Sequence, residues 1–64
     1  MVKINGENSC AGGMSVAEYL HSAGYKPTRV AVEVNGEIIP KKLYEETVLK
    51  DGDSVEVVSF VGGG

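Results

Sequence analysis

The sequence predicts one small α+β domain in which a single helix packs across one face of a mixed sheet of four to five strands. Three observations lead to this fold class. Short apolar segments alternate with polar residues at the period of a β-strand, two Asn-Gly pairs separate such segments, and one segment has the apolar spacing of a helix. A chain of 64 residues forms one domain and is too short for a large enclosed active site.

Each Asn-Gly pair predicts a tight hairpin, because both residues tolerate the positive φ of such a turn. The first hairpin joins a strand containing Val2 and Ile4 to a weaker return strand over residues 7–11. The second joins residues 30–34, in which valines alternate with other residues, to a brief return over 37–39. Pro40 should end that return strand or place it at a sheet edge, since proline lacks an amide donor.

The helix is predicted between the two hairpins. Ser15 and Glu18 have the spacing of a capping box, in which each side chain bonds to the backbone of the other residue. The apolar stripe that follows has helical spacing and consists of Val16, Tyr19, Leu20 and Ala23. Gly24 provides a left-handed stop and Pro27 confirms the break.

The last predicted strand, residues 54–61, is apolar on both faces. Val55, Val57 and Val61 share one face, whereas Val58 and Phe60 lie on the other. One helix covers one face only, so we expect Val58 and Phe60 to form a partner-docking patch; the alternative is that the loop at residues 40–47 covers them. That segment is predicted to be a loop or short helical turn, anchored by Leu43 and Val48.

The chain finishes with Gly62, Gly63 and Gly64. Glycines lose much backbone entropy on ordering, so we expect a folded domain over residues 1–61 and a flexible glycine tail over 62–64. A backbone without Cβ atoms can thread a narrow channel and present the Gly64 carboxylate to another protein's active site. A frayed terminus or a glycine linker is the alternative interpretation.

Composition argues against several functions. A net charge of −3 opposes nucleic-acid binding, and no segment reaches the roughly 20 apolar residues of a membrane span. A single cysteine excludes an internal disulfide and favours the reducing cytosol. We interpret Cys10 as a half-buried strand residue and His21 as solvent-facing, and these two fall short of a zinc ligand set. The carboxylates at 45–46 and at Asp51 and Asp53 are interpreted as a solvated loop and a turn.

Three segments resemble a known family: VEVNGEIIPK at residues 32–41, TVLKDGD at 47–53 and VEVVSFVGGG at 55–64. Together they are similar to the ThiS sulfur carriers of thiamin biosynthesis, ubiquitin-like proteins with the β-grasp fold. The resemblance covers essentially the whole chain. Two positions depart from the pattern, because Lys41 stands where members often have arginine and Tyr44 where they often have tryptophan. Any anion contact of Lys41 would lack the bidentate geometry of arginine.

The resemblance implies a carrier that is not itself an enzyme and binds no cofactor. An E1-like adenylating enzyme would use ATP to convert the Gly64 carboxylate into an acyl-adenylate. A persulfide sulfur donor would then replace AMP, which leaves a thiocarboxylate whose sulfur goes to thiazole synthase. Gly62 and Gly63 would let the tail reach into both partners.

Three alternatives share these features in part. The small subunit of molybdopterin synthase has the same fold and tail chemistry. A ubiquitin-like modifier would be joined through Gly64 to lysines of target proteins. A plain β-grasp interaction module with a linker tail would undergo no ATP-dependent change at Gly64.

Overall fold

The computed structural model describes residues 1–60, so Val61 and the glycine tail Gly62, Gly63 and Gly64 lie outside the described residues. Within that range there is one α-helix, α1 (Val16–Ala23), and two short 3-10 turns at Pro27–Arg29 and Lys41–Leu43. The five strands are β1 (Val2–Ile4), β2 (Glu7–Ser9), β3 (Val30–Val34), β4 (Glu37–Ile39) and β5 (Ser54–Ser59).

The strands form one mixed sheet in the order β2-β1-β5-β3-β4. The central strand β5 runs parallel to β1 and antiparallel to β3, and the two hairpins place β2 and β4 at the edges. The helix packs on one face of this sheet. The structure therefore confirms the predicted α+β, β-grasp architecture with five strands.

The helix begins and ends as its sequence predicts. The Ser15 hydroxyl accepts a hydrogen bond from the Glu18 N–H at 3.0 Å, and the Glu18 carboxylate accepts one from the Ser15 N–H at 2.9 Å. Gly24 ends the helix with φ of 85°, a conformation that glycine adopts without steric cost. Of the predicted apolar stripe, Val16 and Leu20 are buried and Tyr19 is half-buried. The inclusion of Ala23 was wrong, because this last residue of the helix is exposed.

The core lies between α1 and the sheet, and the segment between β4 and β5 closes it. We expected Leu43 and Val48 to anchor this segment, but they are 37% and 49% exposed. The buried anchors are the next residues, Tyr44 and Leu49, at 3% and 1% exposure. The fully or nearly fully buried apolar residues are Val2, Ile4, Ala11, Val16, Leu20, Val30, Val32, Tyr44, Leu49, Val55 and Val57.

Both Asn-Gly turns are present, with φ of 52° at Asn5 and 53° at Asn35. The return strand of the first hairpin is shorter than predicted and ends at Ser9. Cys10 follows it and is exposed, so the expectation of a half-buried strand cysteine was wrong. A turn follows at residues 11–14, where the Met14 N–H donates to the Ala11 carbonyl, and the side chain of this segment that enters the core is Ala11.

The strand β5 ends at Ser59, short of the predicted range of 54–61. Its ladder nevertheless continues by one bond, since the Phe60 N–H donates to the Arg29 carbonyl at 2.8 Å. Among the described residues, no helix is long and apolar enough to cross a membrane.

Candidate docking surface

The sheet face opposite the helix carries both residues that the sequence assigned to docking. Val58 lies directly opposite Ala31 in the β3–β5 pairing, and its strand neighbour Val57 is buried on the helix side. Val58 is 58% exposed and Phe60 is 49% exposed. Side chains of a strand alternate between faces, so these two residues share the face that α1 leaves open.

The loop at residues 40–47 does not cover this face. Its backbone bonds to the start of the helix, where the Ala17 N–H donates to the Tyr44 carbonyl at 2.9 Å and the Val16 N–H to the Thr47 carbonyl at 2.8 Å. The loop thus lies on the helix side of the molecule. These bonds also satisfy backbone donors that a helix N-terminus otherwise offers to an anion.

A third apolar residue, Ile38, extends the patch, and the sequence analysis missed it. Ile38 is 72% exposed and lies directly opposite Glu33, while the next residue, Ile39, packs against the core. The sequence contained the evidence for this assignment, because two consecutive apolar residues in a strand must face opposite sides of the sheet. We refer to Ile38, Val58 and Phe60 as the open-face strip.

Two glutamates border the open-face strip. Glu33 and Glu56 are directly opposite each other in the β3–β5 pairing, and both are flanked along their strands by valines of the helix side. Glu33 is half-buried and Glu56 is exposed. The open face is therefore apolar at the three positions of the strip and acidic in the row of cross-strand partners that starts at Ile38.

The two turn asparagines fix the strand that carries the strip. The Asn5 amide group accepts from the Val57 N–H at 2.9 Å and donates to the Val57 carbonyl at 3.3 Å. On the other side, the Asn35 side chain accepts from the Ser54 N–H at 2.9 Å and donates to the Asp53 carboxylate at 3.0 Å. The asparagine side chains thus bond to β5 at Ser54 and Val57, from the turns on its two sides.

The Asp53 carboxylate belongs to the turn, as its sequence context predicts. It accepts from the Asn35 side chain and from the Lys50 N–H at 2.9 Å. These two bonds, the first more than the second, hold the pKa of Asp53 below its ordinary value, since they favour the charged form.

Lys41 and Tyr44, the two departures from the family pattern, both make contacts within this chain. The Lys41 ammonium donates to the Thr28 carbonyl at 3.3 Å and joins the turn after β4 to the turn before β3. Tyr44 is buried, and desolvation raises the pKa of its phenol.

A concave region lies on the helix side, between α1 and the loop that precedes β5. It is a shallow open groove lined by Ser15, Ala17, Glu18, His21, Glu45 and Val48. His21 is exposed there, as predicted. In the described part of the chain, no three His, Cys, Asp or Glu side chains come together as a metal site would require.

The three tail residues assigned to the chemistry, Gly62, Gly63 and Gly64, lie outside the described residues. The structure describes the chain as far as Phe60, which precedes Val61 and these three glycines. Phe60 belongs to the open-face strip, its N–H donates to the carbonyl of Arg29 just before β3, and Gly64 follows it four positions later.

Comparisons with known proteins agree on one family. The model of the ThiS family matches residues 2–64. The sulfur carrier protein ThiS of Thermus thermophilus is 38% identical over 64 residues, with full coverage of both chains. The crystal structure of the thiamine biosynthesis protein ThiS from Geobacter metallireducens superimposes with a TM-score of 0.78 at 34% identity and covers 98% of this chain and 97% of that one.

A longer relative has a different name. The thiazole synthase of Paramagnetospirillum magneticum is 44% identical over 62 residues, which are 95% of this chain but 19% of that protein. This chain therefore spans about a fifth of the length of that relative. The family model and the full-length carriers match the resemblance inferred from the three sequence segments. The chain belongs to the ThiS family of small sulfur carrier proteins, which are not enzymes.

Proposed function

We propose that this chain carries sulfur as a thiocarboxylate on Gly64 and delivers it for thiazole formation in thiamin biosynthesis. The observation that carries the proposal is the family match, which extends through residue 64 and so includes all three tail glycines. The ThiS relative from Thermus thermophilus aligns over its full length as well. The expected reducing cytosol suits a carrier whose cargo is an easily oxidised sulfur.

The proposed chemistry begins with activation, because a carboxylate is a poor electrophile without a leaving group. An E1-like adenylating enzyme transfers AMP from ATP to the Gly64 carboxylate and releases pyrophosphate. The terminal sulfur of a persulfide donor then attacks the acyl carbon, and AMP leaves. A thiol reduces the resulting acyl disulfide, which frees the thiocarboxylate and leaves the donor as a mixed disulfide.

The glycines contribute access at both steps. Gly64 has no side chain to crowd attack at its carbonyl carbon, and Gly62 and Gly63 have no Cβ atoms to obstruct a narrow channel. The carrier supplies the reacting carbon, and its partner supplies the catalytic groups.

Thiazole synthase is the proposed acceptor. The thiazole synthase of Paramagnetospirillum magneticum contains a segment that is 44% identical to this chain, and the thiazole synthase of Magnetococcus marinus contains one that is 36% identical. A carrier-like segment within a thiazole synthase supports a functional link between the two activities.

The docking surface of the proposal is the open-face strip. Val58 lies on β5 and Phe60 directly follows that strand towards the tail, and Ile38 enlarges the same face. An exposed apolar patch of this kind commonly marks a partner surface. A partner seated there would lie next to the residues from which the tail departs.

The proposal is tested with the 64-residue protein, its cognate adenylating enzyme, ATP and a persulfide sulfur donor. We expect the intact mass to rise by the difference between sulfur and oxygen, and fragment masses to place the change at Gly64. The modifier alternative predicts a covalent adduct with lysines of other proteins. The interaction-module alternative predicts an unchanged chain.

One control is dictated by the structure. Cys10 is exposed, and addition of oxygen to a cysteine or methionine changes the mass by nearly the same amount as sulfur exchange. A Cys10→Ser variant removes the chain's single thiol, so any remaining alkylation at mildly acidic pH reports the thiocarboxylate. A chain without Gly64 should show no such alkylation. Equal alkylation with and without Gly64 would overturn the proposal.

A further inference from the structure

Two glutamates on the open sheet face are placed where they oppose each other. Glu33 and Glu56 are cross-strand partners in β3 and β5. Directly opposite side chains have Cβ atoms about 5 Å apart, and like charges at such positions destabilise the sheet. The facing charges of this pair therefore oppose the pairing of the two strands and do not strengthen it.

No cation within the described residues neutralises this pair. In residues 1–60 the one ion pair joins the Met1 ammonium group to Asp51. Lys3 lies on the same face but opposite Asn8 and Ser54, and it pairs with neither glutamate. The ammonium group of Lys41 donates instead to the Thr28 carbonyl.

The pair is continuous with the open-face strip. Glu33 lies directly opposite Ile38 on one side and Glu56 on the other. Glu56 precedes Val58 by two positions and so shares its face. An apolar patch with acidic groups at its border is complementary to a surface in which an apolar area is flanked by lysine or arginine.

The same charges argue against a second copy of this chain as the occupant. A two-fold contact places the same patch on both subunits, so two copies joined through the strip would bring their acidic pairs towards each other. The net charge of −3 on each chain adds to that repulsion.

We propose that Glu33 and Glu56 recognise basic side chains of the adenylating enzyme that docks on the open-face strip, and that they keep the strip from pairing with itself. This inference rests on the proposed function for the identity of the partner. The glutamates strengthen binding and steer the enzyme towards the strip. Charges at the border of an interface mainly change the association rate and its salt dependence.

The test compares two double variants with equal charge changes. Glu33→Gln/Glu56→Gln removes the pair, and Glu45→Gln/Glu46→Gln removes two exposed charges from the loop on the helix side. Affinity for the cognate adenylating enzyme is measured at about 0.1 M and about 1 M salt, where charges are screened over about 10 Å and about 3 Å respectively. Unfolding and sedimentation are measured on the carrier alone.

We expect Glu33→Gln/Glu56→Gln to bind about fivefold more weakly than the loop variant at low salt, with the difference closing at high salt. Its unfolding midpoint should be equal to or above that of the unmodified chain, and it should self-associate more. Equal affinity of the two variants would overturn the inference, as would a loss of stability that accounts for weaker binding. Absence of binding by the unmodified chain would overturn it too. Binding without any change at Gly64 would instead contradict the proposed function and leave this inference standing.

Discussion

Asn5 and Asn35 bond to the central strand β5 from its two opposite sides. Each is the first residue of an Asn-Gly turn and each has positive φ, at 52° and 53°. The Asn5 side chain bonds to both backbone groups of Val57, and the Asn35 side chain bonds to the Ser54 N–H. Asparagine at these turns therefore does more than tolerate the backbone conformation, because it continues the ladder where β1 and β3 end.

Replacing Asn5 with glycine should separate these two roles. Glycine keeps the positive φ but leaves the partly buried Val57 N–H without its acceptor, so we expect the free energy of unfolding to fall by about 1–3 kcal/mol. Asn35→Gly is the matched control, since its turn has the same conformation but its bond to Ser54 is exposed. Denaturant unfolding should show the larger loss for Asn5→Gly. Equal losses would mean that the partly buried bonds to Val57 stabilise the fold no more than the exposed bonds of Asn35.

The stability of the fold should depend on the side chain of Leu49, in the segment before β5, and not on that of its neighbour Val48. Leu49 is 1% exposed, so Leu49→Ala should lower the free energy of unfolding by about 2–5 kcal/mol through lost burial and the cavity left behind. Val48 is 49% exposed, and Val48→Ala should change it by about 0.5 kcal/mol or less. Thermal or urea unfolding of the two variants measures the difference. A comparable loss of stability in Val48→Ala would support Val48 as the anchor, as the sequence predicted.

The contrast between positions 48 and 49 shows where sequence reasoning succeeded and where it failed. Strands and the helix have a fixed period, so alternation around Val32 and the capping box at Ser15 located β3 and α1 closely. The segment from 40 to 49 contains a 3-10 turn and irregular backbone, and such a segment has no period from which to infer its buried side. The anchors were therefore missed by one position.

Part of the exposed apolar face was equally predictable. Val58 and Phe60 were assigned because β5 is apolar on both faces, and the structure places them on the open face. The Glu33–Glu56 opposition could not be predicted, because it depends on the register between two strands far apart in sequence. The proposed tail chemistry rests on the glycine tail and the family resemblance, and not on any packing that the described residues show.

Acid should destabilise the fold partly through Asp53. Its hydrogen bonds to Asn35 and Lys50 lower its folded-state pKa below the ordinary value of 3.8. The unfolded chain then binds more protons than the folded chain as pH falls below that value, so the stabilisation present at higher pH is lost progressively. We expect Asp53→Asn to be less sensitive to pH in this range than the unmodified chain.

Glu45→Gln provides the comparison, because Glu45 is exposed and loses the same charge. Unfolding free energies of Asp53→Asn, Glu45→Gln and the unmodified chain are measured at several pH values below about 4.5, and the Asp53→Asn curve should be the least steep. If the Asp53→Asn curve has the same slope as both, the hydrogen bonds of Asp53 do not favour its charged form in the folded state.

The docking prediction is tested most directly at Phe60. Phe60→Glu places a charge at the strip without disturbing the core, since Phe60 is 49% exposed and its backbone bond to Arg29 does not need the side chain. Loss of a central aromatic contact typically costs 2 kcal/mol or more, so we expect adenylation measured by ATP–pyrophosphate exchange to fall at least about 30-fold in kcat/KM. Val48→Glu is a closely matched control, because Val48 has the same exposed fraction but lies on the helix side. Both variants should unfold at nearly the temperature of the unmodified chain. Normal adenylation of a folded Phe60→Glu chain would show that the open face is not part of the interface. An equal defect in Val48→Glu would show that the added charge, and not its position, impairs the reaction.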